Sequence, residues 1–350
     1  MQKFQIGKNE QGQRFDKYLK KLLPEAPGSF IYKMLRKKNI TLNNQKAEGD
    51  KKLNLGDEVA LFLSEETFSK FSKRPSKSQK NYPSIPLDII YEDQDIIVIN
   101  KPVGMLSQKA KATDISANEY IIGYLLQKQE LTEAGLQAFR PSICNRLDRN
   151  TSGVLIAGKS LQGLQGMARQ LGDRSVKKHY LCLACGKVRT PRTLEGWLQK
   201  DGKNNQGSVT KEALPDSKYI RTSYAPLEWF SIKGQGDFTL LEVSLETGRS
   251  HQIRAQLASV GHPILGDPKY GDRKANVWGL QTLQVRSQLL HACWVGLADG
   301  KEFKAPVNGV FQKALGYFRQ HPALNSPQAG TGEVDKVWRH GTPEALEAPH

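Results

Sequence analysis

Cysteine is scarce in this chain, with four in 350 residues, too few for a disulfide scaffold. A reducing compartment, the cytoplasm, is therefore expected. No apolar run approaches the ~20 residues that span a bilayer. Met1 to Glu10 is polar where a secretory signal would turn from basic to apolar. No membrane role is expected. Cys182 and Cys185 are the close pair of thiols. On a strand, residues three apart face opposite sides, and no histidine ligand spacing accompanies them, so a metal site is not expected. Internal repeats, a glycine-rich phosphate loop and a Ser–His–Asp order are also missing.

Acids are in deficit as well. Asp and Glu number 35 against 51 Lys and Arg, a formal net charge of +16. That balance points to nucleic acid as the partner. Met1 to Lys80 holds 18 bases and 9 acids, a net of +9, more than half the total in under a quarter of the length. Concentrated in this way, the charge suits an arm that grips phosphates.

Within that arm, Phe15, Leu19, Leu22 and Leu23 recur at helical spacing, and Pro24 and Pro27 end the helix. Ser29 is placed to cap a second helix with Phe30, Ile31, Met34 and Leu35 on its apolar side and Arg36-Lys37-Lys38 at its end. Short strands follow around Ile40 and Leu42 and from Val59 to Leu63, with turns at Asn43-Asn44 and Gly56-Asp57. Glu65 to Pro86, rich in Ser, Lys and Pro, reads as a linker.

From Leu87 apolar strands alternate with glycines. Strands are expected over 87–91, 96–100, 154–158, 176–185, 238–245 and from 289, with helices around 114–128 and 161–171, and one after the Thr247–Arg254 stretch that ends near Gly261. Ser160 is the N-cap of the second of these helices, and Gly163 and Gly166 weaken it. Gly186 to Tyr224 is polar and reads as irregular, or as a hairpin with a long loop, and 321–350 reads as a disordered tail. Between Asn145 and Gly158 a polar cluster, Asn145-Arg146-Leu147-Asp148-Arg149-Asn150-Thr151-Ser152-Gly153, runs straight into the buried strand. A lone carboxylate kept ionised by arginines suits a nucleophile or a base. Tyr180 lies on a neighbouring strand, and a later loop carries Arg249 and Arg254.

Two resemblances follow. Arg14-Phe15-Asp16-Lys17-Tyr18-Leu19, Ile31 to Lys37, Ile40-Thr41-Leu42-Asn43 and Leu55-Gly56-Asp57 resemble the small RNA-binding domain first described in ribosomal small-subunit protein four. In that family the basic helix face meets RNA, which implies such contacts for Lys33, Arg36, Lys37 and Lys38. The rest resembles the RluA/RluC-type pseudouridine synthases through several motifs in order. These are Ile90 to Gly104 with Lys101-Pro102, the Asn145 to Gly153 cluster, Lys178-His179-Tyr180, Thr247-Gly248-Arg249-Ser250-His251-Gln252-Ile253-Arg254, Gly261 to Asp267, Leu290-His291-Ala292 and Lys304-Ala305-Pro306.

The resemblance implies an α+β catalytic domain with a mixed, mainly antiparallel sheet and flanking helices, over 87–320. The small α/β RNA-binding domain would cover 13–64 and the linker 65–86. It implies isomerisation of uridine in RNA, most like members acting on bacterial 23S ribosomal RNA, by a monomer with no cofactor and no metal. Asp148 would be the catalytic carboxylate, Arg254 its partner, Tyr180 the ring stacked on uracil and Arg146 the wedge that replaces a flipped base. Arg249 reads as a phosphate contact or as a structural loop residue. The family usually carries His at 145 and Asp at 150, and both are Asn here. A non-catalytic RNA-binding or ribosome-assembly factor on the same fold stays open on sequence alone, though retention of Asp148, Tyr180 and Arg254 speaks against it. So does a glycosidic-bond hydrolase, which would want a second acid, Asp267 being the one candidate.

Overall fold

The computed structural model describes residues 1–7, 10–72, 82–132, 135–201, 206–307 and 309–323. The chain forms two compact units. The first takes Met1–Val98, Gln108–Arg146 and Ile156–Arg169, and the second takes Ile99–Ser107, Leu147–Leu155 and the chain from Gln170 onward.

The first unit opens with β1 (Gln2–Gln5), α1 (Phe15–Leu22), α2 (Gly28–Arg36), β2 (Ile40–Leu42), β3 (Glu58–Leu61) and α3 (Glu65–Ser72). Phe15, Leu19 and Leu23 are buried along one side of α1, and Ile31, Met34 and Leu35 along one side of α2. The i, i+3, i+4 spacing therefore turns both apolar stripes onto one core. It also leaves Lys33 and Arg36 exposed on α2, with Lys37 and Lys38 exposed just beyond it. The expected Ser29 cap is corrected. The helix starts two residues earlier, at Gly28, with Pro27 in the N-cap position and no side-chain cap. The fixed φ of proline suits that start, and the Pro27 carbonyl accepts from Phe30 N–H at 3.0 Å.

Asn43 and Asn44 both sit at positive φ, 50° and 59°, and turn the chain after β2 as expected. Polar Gln2–Gln5 gave no strand signal, yet it pairs antiparallel with β3, so the small sheet has the order β1-β3-β2. The stretch read as linker begins with α3. Ser64 Oγ accepts from Thr67 N–H at 3.2 Å at its start, and Phe68 and Phe71 pack on the same core, Phe71 with its ring 4.6 Å from that of Phe30. Residues 73–81 of that stretch lie outside the described residues.

The chain continues with β4 (Ile89–Glu92), β5 (Ile96–Lys101), α4 (Ala117–Gln127), α5 (Gly135–Ala138), β6 (Ser142–Ile143), β7 (Ser152–Gly158) and α6 (Leu161–Gly172). Ser116 and Glu119 form a capping box on α4. Ser160 caps α6, its Oγ accepting from Gly163 N–H at 2.9 Å, as its position predicts. Gly163 is there for close packing, because a Cβ on it would lie 2.1 Å from the Asp95 carbonyl oxygen.

The second unit adds β8 (Lys177–Cys185), β9 (Arg192–Asp201), β10 (Gln206–Thr210), β11 (Lys218–Ile232), β12 (Gly236–Leu245), α7 (Gln252–Ser259), α8 (Arg273–Leu283), β13 (Leu290–Gly296), β14 (Glu302–Lys304) and α9 (Gly309–Arg319). Strand order is β10-β9-β11-β12-β8-β13-β7, followed by β5 and β4, with β14 on β13 and β6 on β7. The pairings from β10 to β13 are antiparallel, and β13 meets β7 in parallel through His291↔Ser152 and Ala292↔Gly153. The fold is thus α+β with a large mixed, mainly antiparallel sheet.

Gly186 to Tyr224 follows the hairpin alternative and corrects the irregular one, since β9 and β10 pair antiparallel within it and β11 begins there. Leu194 and Leu198 are buried at even spacing on β9, but Glu195, Gly196 and Trp197 between them mask the alternation. Phe230, Phe238 and Phe318 gather on the core side with α9, the latter two with rings 5.0 Å apart. The stretch read as a tail starts ordered, because Ala323 N–H donates to the Trp229 carbonyl at 3.0 Å. Residues 324–350 lie outside the described residues. Among the described residues no helix is long and apolar enough to cross a membrane, no acid, histidine or cysteine cluster has metal-binding geometry, and all four cysteines are free.

Candidate active site

The second unit builds its polar centre around Asp148. The turn carrying this residue closes through Thr151 N–H, which donates to the Asp148 carbonyl at 3.0 Å, and then enters β7, where every residue is buried. Gly153 in β7 has φ 112°, and a Cβ there would stand 2.0 Å from the Ala292 carbonyl oxygen. Only glycine lets β7 and β13 approach this closely. Beside it, Ser152 Oγ donates to His291 Nδ1 at 2.8 Å while His291 Nε2–H donates to the Ala305 carbonyl at 2.9 Å. Burial lowers the imidazole pKa, which keeps this ring neutral and structural.

Two more clamps hold the Asp148 turn. Ser107 Oγ donates to the Leu147 carbonyl at 2.8 Å and accepts from Leu147 N–H at 3.1 Å. Lys101, at the end of β5, is fully buried, and its ammonium donates to the carbonyls of Pro102, Met105 and Arg149 at 2.9, 2.8 and 3.1 Å. Burial pushes its pKa down to about 7, with the Asp148 charge pulling the other way. Arg149 returns the grip, donating from Nε to the Gly104 carbonyl at 3.1 Å.

Arg254 comes from α7 and is 4% exposed. Its Nε and Nη2 each donate to Asp267 at 2.7 Å, and its Nη1 donates to Asp148 Oδ2 at 3.0 Å. Burial opposes the guanidinium charge, but the Asp267 and Asp148 carboxylates outweigh it and hold the pKa above its usual value. Asp267 is sealed, with a side chain 0% exposed, and its Oδ1 also accepts from the N–H groups of Lys269 and Tyr270. It is therefore the counter-ion that aims Arg254, not a second acid facing substrate. Asp148 keeps 23% of its side chain exposed, and its Oδ1 accepts no hydrogen bond among the described residues. One carboxylate oxygen is thus tied down by Arg254.

Tyr180 is buried in β8, opposite Ala292 of β13. Its phenol is pushed well above the usual range by burial first and by the Asp148 charge second, which places the ring in the field of that carboxylate. Tyr270 lies beneath the Arg254 guanidinium, 5.3 Å from ring centre to Cζ. Its hydroxyl accepts from Gly207 N–H at 2.6 Å and meets His251 Nδ1 at 3.1 Å.

The structure thus brings Asp148, Arg254 and Tyr180 together. Arg249 is exposed just before α7, its backbone N–H donating to Gln252 Oε1 at 3.1 Å. Arg146 belongs to the first unit and its side chain is exposed, as are Lys33, Arg36, Lys37 and Lys38. Asn145, also in the first unit, accepts from Ile156 N–H at 2.8 Å and so braces the polar loop against β7. Sequence reasoning assigned no role to Lys101 or Tyr270 and left Asp267 as a possible acid. The available signal was a lysine closing an apolar strand and an aspartate directly after the Gly266 turn.

Residues 95–259 match the family model for RNA pseudouridylate synthase. A ribosomal large subunit pseudouridine synthase C from Buchnera aphidicola is 30% identical over 317 residues, covering 87% of this chain and 93% of that protein. The chain belongs to the pseudouridine synthases. A ribosomal large subunit pseudouridine synthase D from Nitrosomonas europaea is 30% identical over 267 residues, 75% of this synthase and 70% of that one. The fold of the synthase also matches the human RNA pseudouridylate synthase domain containing 4, with a TM-score of 0.51 at 21% identity over 66% of this chain and 92% of that one. It is an isomerase of uridine in RNA.

Proposed function

We propose that this synthase isomerises specific uridines of bacterial 23S ribosomal RNA in the cytoplasm, as a monomer, with Asp148 as the reacting carboxylate. The observation that carries the reading is the split environment of that carboxylate: Oδ2 held by Arg254 at 3.0 Å, and Oδ1 accepting no hydrogen bond among the described residues. The bond from ribose C1′ to uracil N1 breaks, the base turns over, C5 joins C1′, C5 gives up its proton and N1 receives one. Atoms and electrons balance without a cofactor. The target base must leave its helix to reach a group set in a turn at the end of a buried strand. Tyr180 offers it a stacking face, and exposed Arg146, two residues before Asp148, fills the gap left in the RNA.

Support for the large-subunit substrate comes from relatives bearing that name over nearly their whole length and from a net charge of +16. Residues 13–64 serve as the RNA-binding arm of the small-subunit-protein-four type, with Lys33, Arg36, Lys37 and Lys38 on RNA phosphates and Arg249 adding a contact beside α7. The test is to map pseudouridine across 23S RNA, by carbodiimide-dependent reverse-transcription stops, in cells with and without the gene. Loss of discrete stops on deletion supports the reading. An unchanged 23S pattern refutes the substrate.

A further inference from the structure

His251 is built into the site without a task in that reaction. It precedes α7 at φ 60°, in the left-handed region, which is strained for a residue with a side chain. Its ring is fixed by the Tyr270 hydroxyl at 3.1 Å and meets the Tyr270 ring edge-on at 5.8 Å. Nε2 faces the other way, 4.0 Å from Asp148 Oδ2, on a side chain 14% exposed.

The protons follow from the partners. The Tyr270 oxygen already receives the Gly207 N–H, so its own hydrogen is available to His251 Nδ1. Nε2 then carries the imidazole hydrogen, the tautomer that a facing carboxylate also favours. Burial lowers the imidazole pKa, helped by the Arg254 and Lys269 charges and opposed by Asp148 and Asp267, so the ring is a neutral single donor at pH 7. At 4.0 Å a direct hydrogen bond from Nε2 to the carboxylate is too long. A hydroxyl oxygen seated to one side of the Nε2–Oδ2 line lies within about 2.8 Å of both atoms, taking a hydrogen from Nε2 and giving its own to Oδ2.

We propose that His251 and Asp148 together bind the ribose 2′-hydroxyl of the target nucleotide, making His251 a determinant of specificity for RNA over DNA. The inference rests on Asp148 meeting the ribose, as proposed above. The 2′-carbon adjoins the C1′ whose bond to the base breaks, so its hydroxyl travels with the reacting centre. That hydroxyl is both donor and acceptor and is the group that distinguishes RNA from DNA.

The test uses an RNA oligonucleotide spanning the mapped site and already carrying pseudouridine there, so that no turnover intervenes. It is made with ribose or 2′-deoxyribose at that nucleotide alone, and Kd is measured for wild type and for His251→Asn, a residue that tolerates left-handed backbone. Wild type binds the ribose form about tenfold tighter, the worth of a hydrogen bond in a desolvated site. In His251→Asn that preference falls below about threefold. Equal preferences in the two proteins overturn the inference. Long-range proton–nitrogen NMR of free wild type, which needs no variant, shows the hydrogen on Nε2 of His251, whereas a hydrogen on Nδ1 overturns the inference. A wild type that forms no pseudouridine in the unmodified oligonucleotide overturns the underlying reading and this inference with it.

Discussion

Arg254 donates to Asp148 Oδ2 from one nitrogen while its other two nitrogens are locked on Asp267 at 2.7 Å each. The fork fixes the guanidinium, and through it one oxygen of Asp148, before any RNA arrives. A lysine has one point charge and cannot hold both carboxylates in this geometry. Arg254→Lys should cost about 10²-fold in kcat with a smaller effect on KM, because misplacing a reacting group by about 1 Å has that consequence. Asp267→Asn should destabilise the fold by about 3 kcal/mol, the low end for removing one partner of a buried pair. Denaturant unfolding and single-turnover kinetics read the two effects separately.

Lys101 makes stability depend on pH. Burial depresses its pKa from 10.5 to about 7, so between these values the unfolded chain holds a proton that the folded chain does not. Stability should therefore rise with pH from about 7 toward 10.5, and the burial cost should be fully present below 7. Lys101→Met has no proton to lose. Its unfolding free energy should lack that rise, as urea titrations at a series of pH values can establish.

Gly153 should not tolerate a side chain. Gly153→Ala combines a positive φ with a Cβ 2.0 Å from the Ala292 carbonyl oxygen, and neither backbone can move without opening β7 from β13. The loss should exceed about 3 kcal/mol, the sum of strain and overpacking penalties. Thermal unfolding should show it, whereas Gly166→Ala, at a half-buried position of α6 with open space where the Cβ would go, should be neutral or stabilising.

The arm should announce itself in salt. Replacing Lys33, Arg36, Lys37 and Lys38 with Gln should weaken RNA binding and reduce the slope of log K against log salt by about 0.7–0.9 for each phosphate no longer neutralised. An unchanged slope in filter-binding titrations from 50 to 200 mM salt would mean that these exposed cations only solubilise the chain.

Periodicity carried much of the fold. The buried stripes of α1 and α2, the strands β5, β7 and β12, and the Ser160 cap all follow from local patterns that tertiary packing reinforces. Where local pattern and environment part, sequence falls short. Polar Gln2–Gln5 becomes a strand because β3 offers it an edge to pair with, and β9 hides its two buried leucines among polar neighbours. Phe68 and Phe71 sit in a lysine- and serine-rich stretch, yet find a core to pack on. At the site, Asp148, Arg254 and Tyr180 stand in recognisable patterns. Asp267 and Lys101 take their meaning from burial, which no local pattern expresses: one balances a hidden guanidinium and the other ties three carbonyls.

The central claim is that the Asp148 carboxylate performs the isomerisation. The direct measurement incubates wild type and Asp148→Asn with unmodified 23S RNA and counts pseudouridine formed per enzyme by carbodiimide-dependent primer extension, with RNA affinity measured alongside. The account predicts stops at discrete uridines with wild type and at least about a 10³-fold lower rate with Asp148→Asn, at an RNA affinity within a few-fold of wild type. Comparable rates for the two proteins would contradict it.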